Sequence, residues 1–275
     1  MTSGKIAVIT GTTHGIGRVT SRVLARSGYT VVMLCRDYDA ASRERQAILA
    51  ETPTAAVHVV RCDLASLRSV REAARTVRSD FGRIDSLINN AGMVSTRHRM
   101  SVDGFELTFA TNHLGPFLLT QLLLDRMTDD GRIVTVASRV HYKGKLDLAR
   151  LADPKARYGA QAAYAQSKLA NVMHTFALAR RLAALRVTVN CLHPGVVATN
   201  LLPRWLQVVK PLISRVIDEE RGSRTTLFLA MSSDVAGVSG RYFDENQAAQ
   251  PAAAAANDVG LQEALWQASE RWVAE

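Results

Sequence analysis

Three cysteines in 275 residues, at positions 35, 62 and 191, are too few for a disulfide framework and match no zinc-ligand spacing. Each ends a β-rich run, where a buried thiol serves as a small hydrophobe, and no metal site is expected. No apolar run reaches the roughly 18 residues that a membrane span requires. Met1–Gly4 leads straight into a strand-like segment, so a cytoplasmic chain without stable membrane insertion is the expectation. Blocks of like charge are missing too. The 34 Lys and Arg exceed the 25 Asp and Glu by nine, yet the arginines are scattered through helix-like stretches, often beside acids. That scatter argues against nucleic acid as a partner and reads as solvated helix faces. A phosphate-bearing small ligand needs only one or two of those cations.

What is present is regular. Apolar, β-branched runs at Ile6–Thr10, Thr30–Cys35, Val57–Arg61, Leu87–Asn89, Arg132–Ala137 and Val187–Leu192 read as strands. They lack polar alternation, which suits parallel strands covered on both faces. Between them, Arg18–Ser27, Ala40–Ala50, Leu67–Phe81, Thr108–Met127 and Ala163–Leu185 read as helices. The β-α-β-α order predicts a single α/β domain over 1–275: a doubly wound parallel sheet with helices on both faces and right-handed crossovers. Ala252–Ala256 reads as a loop before a last helix starting near Asp258. In such a sheet, ligands bind beyond the carboxyl ends of the strands, so the chemistry is sought after Thr10, Cys35, Asn89, Ala137 and Leu192.

After the first strand comes Thr10-Gly11-Thr12-Thr13-His14-Gly15-Ile16-Gly17, and then a helix. Glycines there let the backbone turn tightly and approach a pyrophosphate resting on the helix N-terminus. The second strand ends Leu34-Cys35-Arg36-Asp37. A free ribose 2′-hydroxyl usually meets an acid at this place, and Cys35 occupies it. Arg36 follows, and its guanidinium can grip a 2′-phosphate bidentately, which favours NADP(H). His14 offers a second phosphate contact. Asp37 either accepts from a ribose hydroxyl or caps the next helix.

Tyr164 and Lys168 are four apart in a helical stretch, so they share one face, where a neighbouring ammonium favours the phenolate. Ser138, at the cleft end of the fifth strand, can hold a substrate carbonyl beside that tyrosine. Asn112 is placed either to order a water between the lysine and solvent or to bond the backbone locally. Asn89-Asn90-Ala91-Gly92 suits a floor under an adenine ring and its ribose.

These features in this order resemble the short-chain dehydrogenase/reductase family, over essentially Lys5 to Phe243. The resemblance implies a Rossmann-type fold and carries over Asn112, Ser138, Tyr164 and Lys168 as catalytic residues. Tyr164 would be the acid–base, and Lys168 would bind the nicotinamide ribose and lower the tyrosine pKa. It also implies dinucleotide contacts from Gly11, Thr13, His14, Gly15, Ile16, Gly17, Arg36, Asn90, Ala91 and Gly92. Asp63, with Leu64, matches the adenine-contacting acid; Pro194, Gly195, Val197 and Thr199 match the stretch along the nicotinamide. LCRD, INNAG, TNHLGPFLLT, SKLANV, LHPGVV and GVSGRYF look most like the branch of retinol dehydrogenases and protochlorophyllide reductases. Ser138 and Tyr164 are 26 positions apart, a longer loop than most of the family has, and this branch shares it.

Leu201–Ile217 presents a broad apolar helical face that suits a substrate lid near 200–220, an interfacial helix at lipid, or plain packing on the core; Pro203 and Pro211 break it into short pieces, which suits a lid better than a long membrane helix. The expected activity is NADP(H)-dependent hydride transfer between nicotinamide and a carbonyl or alcohol of an apolar small molecule, in a chain that can form a homo-oligomer. Reduction of an activated C=C bond is the rival chemistry. A catalytically silent dinucleotide sensor is the rival class, and the intact Tyr/Lys/Ser set argues against it.

Overall fold

A computed structural model describes residues 4–153, 155–197 and 216–274. Thr199 and most of the expected lid lie outside the described residues. The chain alternates β1 (Ile6–Thr10), α1 (Gly15–Arg26), β2 (Thr30–Cys35), α2 (Tyr38–Glu51), β3 (Val57–Arg61), α3 (Leu67–Asp80) and β4 (Ile84–Asn89). There follow α4 (Leu107–Phe109), a π-helical turn (Ala110–Leu114), α5 (Gly115–Leu123), β5 (Met127–Val136), α6 (Ala160–Arg181) and β6 (Thr188–Leu192). A two-stranded pair, β7 (Val196–Val197) and β8 (Val216–Ile217), precedes α7 (Glu219–Met231), β9 (Arg241–Phe243), β10 (Ala249–Gln250), α8 (Ala254–Asn257) and α9 (Val259–Val273).

The main sheet runs β10-β9-β6-β5-β4-β1-β2-β3, parallel except for β10. Alternation along each strand divides the core between its two faces. Val8, Val32, Leu34, Leu87 and Ile133 pack with α3, α5, α6 and α9. Ala7, Ile9, Val31, Met33, Ile88 and Val134 pack on the other side with α1, α2 and α7. Both faces are apolar because both are covered, which is why the strands carry no polar alternation.

Local signals set the helix ends. The Asp37 carboxylate accepts from Ala40 N at 2.9 Å and opens α2, Ser66 caps α3, and Asp258 caps α9. Many of the scattered arginines tie helices together: Arg22 pairs with Glu44 at 2.6 Å and Arg18 with Glu219 at 2.8 Å. No described helix is long and apolar enough to cross a membrane.

Two expectations need correction, and two strands were not foreseen. The helix expected over Thr108–Met127 contains the π-helical turn and stops at Leu123, and Met127 already belongs to β5. Its apolar residues satisfy a buried strand as well as a helix, so periodicity could not place the boundary. Ala254–Asn257 is a helical turn, where a loop was expected. The short β9 and β10 at the sheet edge had no legible pattern.

Candidate active site

The strand order reverses between β1 and β4, whose loops diverge at their carboxyl ends and open a crevice. Asn90 spans it. Its Nδ2 donates to Thr10 O at 2.9 Å and Gly11 O at 3.0 Å, while Thr10 Oγ1 accepts from Asn90 N and Ala91 N, both at 3.0 Å. Asn90 therefore ties the glycine loop to the end of β4.

Gly11 and Gly15 sit at φ +72° and +62°, a region that side chains rarely adopt. A Cβ on Gly17 would lie 2.2 Å from Gly11 O and 2.4 Å from Asn90 Nδ2. α1 begins at Gly15, its N-cap His14 makes no side-chain cap bond, and its first turn holds no acid. The first N–H groups of α1 are thus left for an anion. This cradle fits the pyrophosphate of a dinucleotide. Ile16 is buried beneath it, and the exposed His14 takes a bond between its Nδ1 and Thr13 Oγ1 at 3.0 Å.

At the end of β2, Cys35 turns inward, its Sγ 2.9 Å from Thr12 Oγ1. Arg36 is exposed and makes no ion pair among the described residues. Asp37 is engaged as the α2 cap. After β3, the Asp63 carboxylate accepts from Ala65 N at 3.0 Å, and the Leu64 carbonyl lies where a side chain on Gly115 would be.

The reactive end is assembled by β4, β5, the π-helical turn and α6. Lys168 is 2% exposed and donates to Val136 O at 2.7 Å. Burial pulls its pKa down to about 8, and no carboxylate offsets that among the described residues. A Cβ on Gly92 would come within 3.3 Å of Lys168 Nζ and 3.6 Å of Asn112 Oδ1, so a glycine here lets the β4 loop pack closely against both side chains. Asn112 Oδ1 accepts from Met93 N at 2.8 Å, and its Nδ2 donates to Met93 O and Ser167 Oγ, both at 2.9 Å. Asn112 is therefore a latch between the β4 loop and α6. The π-helical turn buries this side chain together with Ala110, His113 and Leu114.

Burial holds the Tyr164 phenol above its ordinary pKa, and the Ser138 hydroxyl draws it back. The expected lowering by Lys168 is not among its causes: the ammonium is 5.7 Å from the ring centroid and engaged with Val136. Ser138 caps the 3-10 turn Arg139–Lys143, which packs on α6 at Gly144, where a Cβ would fall 2.6 Å from Ala165 O. After β6, Pro194 is buried, Gly195 takes φ +86°, and the Val197 backbone lies in β7.

The family model for short chain dehydrogenase matches residues 5–208. The chain belongs to the short-chain dehydrogenase family. Retinol dehydrogenase 13 of Homo sapiens is 38% identical over 98% of this chain and 85% of its own length. A crystal structure of an uncharacterized protein from Mycobacterium Paratuberculosis superposes with TM-score 0.79 and 36% identity, covering 98% of this chain and 93% of that one. A protein from Beutenbergia cavernae described as an NAD(P) dependent gluconate 5-dehydrogenase, solved with NADP bound at low occupancy, gives TM-score 0.70 at 27% identity, covering 89% and 96%.

As a short-chain dehydrogenase of the retinol-dehydrogenase-like branch, the protein is of an oxidoreductase family that binds a nicotinamide dinucleotide and acts on small molecules. Sequence reasoning missed several supports of this dehydrogenase's site: Thr10, Thr12, Met93, Val136 and Ser167. Thr10 and Thr12 stood inside the glycine-loop motif and Ser167 one residue before Lys168, so these three carried a signal. The others act through backbone groups and leave no pattern in the chain.

Proposed function

We propose that this short-chain dehydrogenase is an NADP(H)-dependent enzyme that interconverts a carbonyl and an alcohol on an apolar small molecule. The observation carrying the reading is the meeting of the Ser138 hydroxyl with the Tyr164 phenol, one helical turn from a buried Lys168 whose ammonium lies against Gly92. The nicotinamide, when bound, supplies or accepts the hydride.

The chain's own residues supply the rest. Tyr164 carries the transferable proton at its phenolic oxygen, and burial keeps that oxygen protonated at neutral pH. Ser138 orients the substrate oxygen toward it. Lys168, buried one helical turn on, would bind the nicotinamide ribose from the same pocket. Asn112 holds the β4 loop and α6 in register for both. Gly11, Thr13, His14, Gly15, Ile16 and Gly17 would hold the pyrophosphate, with Asp63, Leu64, Asn90, Ala91 and Gly92 toward the adenosine. Pro194, Gly195, Val197 and Thr199, with Tyr164 and Lys168, would line the nicotinamide side.

Support for the 2′-phosphate comes from the exposed Arg36, from the engagement of Asp37 as a cap, and from the NADP bound in the protein from Beutenbergia cavernae. The apolar substrate class rests on the likeness to a protein named for retinol. Turnover of a carbonyl panel with NADPH, comparing wild type with Tyr164→Phe, tests the reading. Loss of a positioned general acid costs about 10²–10⁴-fold in rate, while dinucleotide affinity should hold. Wild-type turnover by Tyr164→Phe, or no carbonyl accepted by the wild type, would overturn it.

A further inference from the structure

Ser138 is held through its main chain by a residue three positions on. His141 is wholly buried, and its ring bonds at both ends. Nδ1 is 2.7 Å from Ser138 O, and Nε2 is 3.2 Å from Ala253 N. A carbonyl only accepts and a backbone N–H only donates, so the proton must sit on Nδ1 and the lone pair on Nε2. The imidazole is thereby fixed as the neutral Nδ1–H form. Burial pulls its pKa below the usual imidazole range, in agreement with that state. Tyr142 and Tyr242 pack on the ring at centroid distances of 4.1 and 4.6 Å.

The second bond reaches a remote segment. Ala253 is the N-cap of α8, and the neighbouring Tyr142 hydroxyl donates to Pro251 O at 2.5 Å. Two adjacent side chains of the Ser138 turn thus grip Pro251 and Ala253. The same segment leads into α8 and α9, both packed against α6, which carries Tyr164 and Lys168.

We propose that His141 is a positioning residue that fixes the Ser138 turn and couples it to the C-terminal segment, so that the aim of the Ser138 hydroxyl depends on both bonds of one imidazole. This rests on the reading of Ser138 given above. The ring's two nitrogens can be separated by substitution. An asparagine amide reproduces the Nδ1–H donor toward Ser138 O, and a glutamine carbonyl reproduces the Nε2 acceptor toward Ala253 N.

The test uses His141→Asn and His141→Gln in the full chain, with amide hydrogen exchange and steady-state kinetics per folded molecule. His141→Gln should speed exchange in the Ser138–Gly144 turn and lower kcat about tenfold, at unchanged KM and NADPH affinity; one lost hydrogen bond of about 1.4 kcal/mol has that size. His141→Asn should keep kcat within about threefold and instead speed exchange at Ala253. Equal behaviour of the two variants, in exchange or in kcat, overturns the proposal, because simple packing would be lost equally in both. Should neither fold, the ring ¹⁵N shifts of the wild type decide: the Nδ1–H form is expected, and an Nε2–H form at neutral pH overturns the clamp. Ser138→Ala separates the two ideas. If it leaves kcat unchanged, the role given to Ser138 fails, while the exchange pattern still judges the clamp.

Discussion

The Lys168 ammonium donates to the Val136 carbonyl at 2.7 Å and meets no carboxylate among the described residues. A single neutral acceptor does not offset the removal of a charge from water, which is why its pKa falls to about 8. Such a lysine destabilises the fold that holds it. Between pH 8 and its unfolded value near 10.4, the unfolded chain binds a proton that the native chain does not, so this group makes stability rise with pH there. Lys168→Met removes the charge and keeps much of the volume. We expect it to raise the melting temperature of the dinucleotide-free protein at pH 7, by roughly 1–3 kcal/mol in stability, and to abolish turnover. A lower melting temperature would mean that the Val136 bond outweighs the desolvation.

Gly17 tests the cradle. Its missing side chain is the space taken by Gly11 O and Asn90 Nδ2. Gly17→Ala must push apart the loop that Asn90 ties down, so both stability and dinucleotide affinity should fall, the former by about 1–3 kcal/mol. Gly82→Ala is the control, since nothing lies within 4 Å of its Cβ and its backbone is unstrained. Thermal melts and NADPH titrations of the two variants check this. Equal effects would show that the cradle is not close-packed.

How much of this could be read from the chain differs by residue type. The strands, the glycine loop and the Tyr164–Lys168 spacing were legible because each depends on local period or on residues a turn apart. Asn112 was visible as a candidate, yet its partners Met93 and Ser167 come from other elements, so its latch role was not. Asp37 stood open between ribose and cap until Ala40 N was seen on it. The position of Lys168 against Val136 depends on how α6 lies across β5, which no window of sequence contains.

Three buried histidines set the acid limit of the fold. Burial drives the pKa of His113 down to about 3, and those of His174 and His193 to about 4. Each is neutral in the native state and is protonated near pH 6.5 once unfolded. Below pH 6.5 the unfolded chain therefore binds more protons, and stability falls as the pH drops toward 4. Each fully buried ring accounts for roughly 2–3 kcal/mol over that window. Urea midpoints measured from pH 7 to pH 4.5 should decline steadily. His174→Phe should flatten the slope, since His174 Nε2 has no hydrogen-bond partner to lose among the described residues and the ring already stacks on Trp266. An unchanged slope would place the acid sensitivity elsewhere.

The proposed preference for NADP(H) is tested at Arg36. It is exposed at the end of β2, beside Cys35, whose thiol points away toward Thr12, and Asp37, whose carboxylate is bound to Ala40 N. Cys35 offers a ribose 2′-hydroxyl no acceptor and one oxygen of Asp37 is taken by Ala40 N, whereas a guanidinium offers a 2′-phosphate a bidentate donor. Charge-assisted bonds of this kind contribute about 1.5–3 kcal/mol, so Arg36→Ala should weaken NADPH roughly 10- to 150-fold. NADH has no phosphate at that place, and its affinity should change little. Salt should weaken NADPH more than NADH in the wild type, because the contact is exposed to screening ions. Calorimetric titration of both dinucleotides into wild type and variant measures this directly. Equal wild-type affinity for the two, with Arg36→Ala unchanged toward either, would sink the assignment and return Asp37 as the ribose contact, released from its cap.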